Sequence, residues 1–404
     1  MKKIKIVIIF LFVILLIGCG NENNDEKKES NVNKELSEID KKVEEQLEKM
    51  TLEEKIGQMI IVFYASDHMD NTLKSALTEV QPGGFILFKD NITTYEKTLK
   101  LIKEIKELVS IPMFMSIDEE GGTIQRLYYL KDKEITDIPD MYEVGKKNDL
   151  SLTYEVGKVI AEELRVFGIN MDFAPVIDVF SNPLNTVIGK RSFGDKPSLV
   201  SKNGYELAKG LEDNGVIAVY KHFPGHGNTS VDSHENLPIV DKTKEELMNF
   251  DLIPFIDAIN NNAKVIMIGH LAVPDITKDN TPASLSKTLI TDFLKKELKY
   301  DGLVITDALN MKALTNYYSD SEICGKAVDA GVDILLMPSS SRKCLKSVLD
   351  EIKSGKIDEK RIDESVRKIL KLKYEKIEKD YNNYLDNTYL NSVEHNNVID
   401  KIKN

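Results

Sequence analysis

The residues best equipped for chemistry lie together in Lys221-His222-Phe223-Pro224-Gly225-His226-Gly227-Asn228-Thr229-Ser230-Val231-Asp232-Ser233-His234, which holds three of the chain's six histidines. The apolar run Val216-Ile217-Ala218-Val219-Tyr220 leads into it and reads as a buried strand. The glycines and proline that follow read as a loop. Near Asp232 the chain is expected to be extended, so Asp232 and His234, two residues apart, would point the same way. A carboxylate beside an imidazole fixes its tautomer and raises its proton affinity, which makes a proton donor usable near neutral pH. A lone Asp-x-His pair is also compatible with a purely structural role. A zinc site from His222, His226 and His234 is a further reading, but the spacing matches none of the usual zinc patterns and no cysteine lies nearby.

A second stretch, Gly302-Leu303-Val304-Ile305-Thr306-Asp307-Ala308-Leu309-Asn310-Met311, places Asp307 directly after an apolar run. A carboxylate there is held rigidly and partly desolvated, as an anionic nucleophile requires. The same position suits a helix N-cap, and the stretch alone supports both readings. Other polar groups also follow apolar runs: Asp118 in Ser116-Ile117-Asp118-Glu119-Glu120-Gly121-Gly122, Asp178 in Pro175-Val176-Ile177-Asp178, and His270 in Met267-Ile268-Gly269-His270.

The elements that must position these groups are eight apolar runs, at 59–63, 84–88, 112–117, 170–177, 216–222, 265–269, 302–306 and 333–337. Helical patterns fill the intervals, and Thr51-Leu52-Glu53-Glu54 has the form of a capping box. Strands alternating with helices point to an α/β fold with a parallel sheet. Both a doubly wound sheet and a closed barrel fit. Polar groups at the C-terminal ends of most runs favour a (β/α)8 TIM-type barrel with a single catalytic domain. A dinucleotide-binding sheet would instead carry a Gly-rich turn after its first strand, and no G-x-G-x-x-G follows the first run.

The stretch 221–234 resembles the signature loop of glycoside hydrolase family 3, in its β-N-acetylglucosaminidase branch. That resemblance implies an Asp232–His234 acid/base dyad. The Asp307 stretch is similar to the nucleophile strand of the same family, which tips Asp307 toward catalysis. Three further stretches match: 116–127, with Gln125-Arg126-Leu127; 170–194, through Val187-Ile188-Gly189-Lys190-Arg191-Ser192-Phe193-Gly194; and 267–286, with Pro282-Ala283-Ser284-Leu285-Ser286. The resemblance implies that Asp118, Arg191, Lys221 and His222 bind the sugar. A carboxylate can accept from two adjacent hydroxyls, and a guanidinium is a fork donor. The bland alternatives are a strand-end cap for Asp118 and a loop-tying salt bridge for Arg191. Asp172 and Asp178 read as structural, and His270 suits loop orientation as well as substrate contact. Lys221 beside Asp307 would help keep the nucleophile ionised.

The similarity spans about residues 45–375. Thr123 stands where many relatives carry arginine, and Asn228 where many carry aspartate. Many relatives carry a second α/β domain, which this sequence does not reach. The implied activity is retaining exo-hydrolysis of terminal β-N-acetylglucosamine from cell-wall (peptidoglycan) fragments through a glycosyl-aspartate, with no metal or cofactor. A β-N-acetylglucosaminide phosphorylase or β-glucosidase on the same scaffold is the enzymatic alternative, and a non-catalytic sugar-binding lipoprotein is the other. The first carboxylates to consider in place of His234 as acid/base are Glu119 and Glu120.

Composition is consistent with this. The chain has 404 residues, 42% hydrophobic and 30% charged, ample for a large core. A net charge of -12 argues against a nucleic-acid partner. Residues 1–18 pair a basic start with an apolar run too short for an ordinary membrane span, which is a signal-peptide pattern. The run ends Leu16-Ile17-Gly18-Cys19, which resembles a bacterial lipoprotein cleavage box. That resemblance implies a lipid anchor at Cys19 and an extracytoplasmic location on the outer face of the membrane. Residues 19–40 read as a disordered tether, 41–376 as the catalytic domain and 377–404 as a polar C-terminal tail. Cys324 and Cys344 lie in helical-looking sequence, with no sign of a disulfide framework.

Overall fold

The computed structural model describes residues 37–229, 232–233 and 235–404. The expected signal peptide, Cys19 and His234 therefore lie outside the described residues. Within them, eight parallel strands form one sheet: β1 (Ile60–Val62), β2 (Gly84–Ile86), β3 (Phe114–Ile117), β4 (Met171–Asp172), β5 (Ile217–Phe223), β6 (Val265–Ile268), β7 (Leu303–Thr306) and β8 (Leu335–Leu336). Each pairs with its successor through β7, and β8 pairs back onto β1 with Ile60 opposite Leu335. A parallel bridge between Ile305 and Ile334 joins β7 to β8 and closes the ring. The architecture is the expected (β/α)8 barrel.

The strands are short apolar segments buried on both faces, as parallel strands wrapped by helices must be. Helices cover the outside with their apolar sides. The expected capping box is present: Thr51 Oγ1 accepts from the Glu54 amide at 3.2 Å, and Glu54 Oε2 accepts from the Thr51 amide at 2.8 Å.

Four features depart from the sequence reading or were not in it. The run at 170–177 yields a regular strand only at Met171–Asp172, because Pro175 has no N–H for the ladder; the chain stays extended and rejoins β5 through the Val176–Lys221 bridge. After β3 the chain makes an unexpected hairpin, Glu119–Gly121 against Ile124–Gln125. Cys324 and Cys344 form a disulfide, contrary to the expectation of none. They lie on the buried faces of helices Asp320–Ala330 and Ser341–Lys353, which bring their Cα atoms to 5.5 Å. The segment 377–404 packs on the barrel: helix Val393–Lys403 buries His395, Ile399 and Ile402. At the other end, helix Glu38–Lys49 begins inside the expected tether.

Candidate active site

At the C-terminal ends of the strands lies a cavity of about 280 Å3, lined by Asp118, Glu120, Arg126, Arg191, Lys221, His222, His226, Ser233 and Asp307 among others. Lys221 and His222 are neighbours in sequence, and a regular strand would send them to opposite faces. A register irregularity between Tyr220 and Phe223 breaks that alternation, and both line the cavity.

The wall formed by β3, β5 and the loop after β4 is an ionic network. Lys221 is 2% exposed, so its charge must be paired to be tolerated. Its Nζ lies 2.7 Å from Asp118 Oδ1 and 2.6 Å from Glu120 Oε1. Burial pulls the ammonium's pKa down, but Asp118 and Glu120 raise it further, so it stays charged. Glu120 also receives Arg191, with Nε at 2.7 Å from one oxygen and Nη2 at 2.8 Å from the other. Burial pushes Glu120 up, yet Arg191 and Lys221 together hold it well below the usual carboxylate range. Arg191 Nη1 donates to the Val187 carbonyl at 2.9 Å. Three of its five N–H groups are thus engaged within the protein, which leaves two for a ligand. The salt-bridge reading of Arg191 is what the structure shows.

Asp307 follows β7 at the cavity surface. Its amide donates to the Ile268 carbonyl at 2.9 Å, and its Oδ1 accepts from the Ala308 amide at 2.7 Å. Burial raises its pKa, but His270, His222 and the Ala308 N–H outweigh that and hold the carboxyl low; Lys221 adds less than these. His270 is fully buried, with Nδ1 at 2.7 Å from Ser284 Oγ and Nε2 at 3.0 Å from the Ala308 carbonyl. A carbonyl only accepts, so Nε2 carries a proton there. This places His270 in loop orientation, behind the turn that presents Asp307.

Asp178 ties the end of the β4 segment to the exit of β5. Its Oδ2 lies 2.7 Å from His222 Nδ1, and its Oδ1 accepts the His226 amide at 2.6 Å. His226 Nδ1 lies 2.6 Å from Thr229 Oγ1, and Nε2 lies 3.2 Å from Ser233 Oγ. Burial, then the neighbouring His222, pushes His226 down to about 4, so it is neutral at physiological pH. Gly227 lets the loop lie directly on the chain after β4: a Cβ there would be 1.8 Å from the Val179 carbonyl oxygen. Of the loop's end, Ser233 lines the main cavity, while Asp232 lines a neighbouring crevice of about 500 Å3 with Thr123, Asp140 and Lys190. The two spaces share Ile124, Val187 and Arg191.

The two glutamates of the β3 stretch differ. Glu120 lines the cavity as an ion-paired anion. Glu119 turns away, accepts the Leu127 amide at 3.0 Å, and is pushed up to about 8 by burial. Asp172, equally buried, caps the Glu119 amide at 2.9 Å. It is structural, as its sequence context indicates. The structure thus gathers Asp118, Arg191, Lys221, His222 and Asp307 in one cavity and sets Asp232 in the adjoining crevice. Two cavity groups were missed from sequence, Glu120 as a network member and Arg126. Glu120 stands two residues after Asp118 on extended chain, a same-face signal. Arg126 Nη2 lies 3.9 Å from Asp118 Oδ2, and its guanidinium stands 5.3 Å from the Phe88 ring centroid. Among the described residues no group of three or more His, Cys, Asp or Glu could hold a metal ion.

Residues 51–372 match the model described as the glycosyl hydrolase family 3 N terminal domain. Beta-hexosaminidase LpqI of Mycobacterium tuberculosis is 32% identical over 335 residues, covering 79% of this chain and 82% of that protein. Beta-hexosaminidase A of Pseudoalteromonas piscicida is 32% identical over 330 residues; the match covers 74% of this chain but only 54% of that longer protein. Among solved structures, a glycoside hydrolase family 3 β-N-acetylglucosaminidase from Paenibacillus sp. superposes with a TM-score of 0.82 at 35% identity, covering 87% of this chain and 68% of that one.

Proposed function

Because the chain belongs to glycosyl hydrolase family 3, and with it to the glycoside hydrolases, we propose that it is a retaining exo-β-N-acetylglucosaminidase acting on cell-wall (peptidoglycan) fragments. Asp307 attacks the anomeric carbon of a terminal non-reducing β-N-acetylglucosamine while His234, oriented by Asp232, protonates the leaving oxygen. Water, deprotonated by His234, then releases the sugar with retained configuration. Asp118, Arg191, Lys221 and His222 hold the hydroxyls. The observation that carries this reading is the Asp307 carboxylate itself, held low in pKa at the surface of a cavity that the Asp118–Lys221–Glu120–Arg191 ionic network also lines. At about 280 Å3 the cavity is at the small end of ligand pockets, a size suited to one sugar unit. The names of the relatives favour N-acetylglucosamine over glucose.

The test is turnover of nitrophenyl β-N-acetylglucosaminide and nitrophenyl β-glucoside, with and without phosphate. Hydrolysis of the first alone, unaffected by phosphate and with retention by NMR, is the expected result. A sugar phosphate product would make the protein a phosphorylase, preference for the glucoside a glucosidase, and binding without turnover a sugar-binding lipoprotein.

We also propose that the protein is held at the outer face of the cell membrane by a diacylglycerol on Cys19. The motif Leu16-Ile17-Gly18-Cys19 supports this, and so does the Cys324–Cys344 disulfide, a bond favoured outside the reducing cytosol. Among the described residues no helix is long and apolar enough to cross a membrane. Cys19→Ala should lose both palmitate-analogue labelling and membrane fractionation; retention of both would refute the anchor.

A further inference from the structure

The segment after helix Glu359–Lys376 takes no part in the chemistry above, yet it is bonded to the strap, residues 131–140, on which the substrate-binding hairpin rests. We propose that this C-terminal segment is a positioning device: Asn391, His395 and Lys403 clamp the strap and so hold Asp118, Glu120 and Arg126 in place for the sugar. The inference rests on the reading that this hairpin contacts sugar hydroxyls.

The clamp has three direct or one-residue links. Lys403 Nζ lies 2.7 Å from Asp137 Oδ2, and Asn391 Nδ2 lies 3.1 Å from Glu134 Oε2, both on the strap. The third runs through Glu163 of helix Leu150–Val166, which is 1% exposed. Its Oε1 accepts the Asn391 amide at 2.8 Å and lies 3.5 Å from His395 Nδ1. The same carboxylate accepts the Thr136 amide at 3.0 Å and the Thr136 hydroxyl at 2.6 Å. The other imidazole nitrogen, Nε2, lies 2.9 Å from Glu162 Oε2. A buried carboxylate serving both the tail and the strap makes the position of one depend on the other.

The strap passes that order to the hairpin. Gln125 Nε2 donates to the Thr136 carbonyl at 2.7 Å, and the Gly122 amide donates to the Ile138 carbonyl at 2.8 Å. The contact has no slack: a Cβ at Gly122 would lie 2.1 Å from Asp140 Oδ1, and φ there is +56°. Asp118 immediately precedes this hairpin, Glu120 is within it and Arg126 directly follows it. Asp307 follows β7, outside the chain of contacts, so the clamp bears on binding and not on the chemical step.

The experiment compares full-length Asn391→Ala, His395→Ala and Lys403→Ala with Tyr381→Phe. Tyr381 belongs to the same C-terminal segment but accepts the Met113 amide at 3.0 Å, away from the strap. Two readouts are taken: steady-state kinetics on nitrophenyl β-N-acetylglucosaminide, and hydrogen exchange by mass spectrometry over residues 119–127. The clamp variants should raise KM about five- to tenfold with kcat within about twofold, the size of one or two lost hydrogen bonds, and should speed exchange in the hairpin. Lys403→Arg should restore both, and Tyr381→Phe should change neither. Because His395 is buried, Asn391→Ala and Lys403→Ala decide the matter if His395→Ala fails to fold. Unchanged hairpin exchange, unchanged KM, or an equal effect of Tyr381→Phe would overturn the proposal. The exchange readout holds even if the substrate is another sugar, which keeps a failure of the clamp distinct from a failure of the proposed activity.

Discussion

Glu120 and Arg191 face each other across the cavity wall as a two-bond ion pair, with nitrogen–oxygen distances of 2.7 and 2.8 Å. Lys221 closes on the same carboxylate from the third side. Removing the carboxylate would strip Arg191 of its two-bond partner and leave buried Lys221 with Asp118, and a broken buried pair costs about 3–5 kcal/mol. Glu120→Ala should show that loss in urea unfolding at pH 7.

The same pair predicts a pH dependence. The folded pKa of Glu120 lies far below its unfolded value of about 4.3. A depressed acid contributes stability that is complete above the unfolded value and lost as pH falls toward the folded one. Wild type should therefore lose stability below about pH 4 more steeply than Glu120→Gln, whose amide does not titrate. Parallel slopes in denaturant midpoints between pH 5 and 3 would contradict the assignment.

Asp307→Ala should keep the fold and lose several orders of magnitude in turnover, since both chemical steps pass through this carboxylate. Its low folded pKa means that it remains ionised at mildly acidic pH. Circular dichroism checks the fold; activity within tenfold of wild type would remove Asp307 from the nucleophile's role.

His234→Ala should depend on the leaving group. General acid–base help is worth about 10²–10⁴-fold, so a natural disaccharide should lose roughly that much in its first step. A nitrophenolate leaves without a proton, so with that substrate a burst followed by slow deglycosylation is expected. Azide, which needs no base, should restore the steady rate. Asp232→Ala should give a milder version. Equal losses on both substrates with neither burst nor azide rescue would exclude His234. Neither carboxylate of the β3 stretch is then a ready replacement, since Arg191 and Lys221 hold Glu120 ionised and Glu119 points away from the cavity.

Cys324→Ser should lower stability by about 3 kcal/mol, the chain-entropy value for a loop of this order closed by a disulfide. Non-reducing peptide mapping should recover the Cys324–Cys344 pair, and reducing agent should shift wild type to the variant's melting temperature. Catalytic constants should hold, because neither sulfur lines the cavity.

The barrel was readable because each strand is a compact apolar run and each reactive group follows one. That rule singled out Asp118, Lys221, His222 and Asp307, but their roles came from the resemblance, since position alone left a capping role open for Asp118 and Asp307. Arg191 was found by resemblance, and its pairing with Glu120 was not, because the partners are 71 residues apart and only the fold brings them together. The disulfide was missed for the same reason: two cysteines on successive helices show no local pattern, and only helix packing aligns them. Residues 377–404 were opaque because their few buried apolar side chains, Ile377, Leu390, Ile399 and Ile402, are widely spaced, and much of the docking is polar, as in Lys403 to Asp137 and His395 to Glu162.

The β7–β8 junction carries one isolated bridge, Ile305 with Ile334, and backbone bonds from the Thr306 amide to the Ile334 carbonyl and from the Leu309 amide to the Leu336 carbonyl. It is also heavily reinforced from outside. Asp333 there accepts from Ser365 at 2.6 Å, from Arg361 at 3.1 Å and from the Val304 amide at 3.0 Å. The disulfide ties together the helices that follow β7 and β8. Proteins open transiently where laddering is thin, long before they unfold as a whole. The external bracing thus stiffens the joint beside Asp307 against such partial openings.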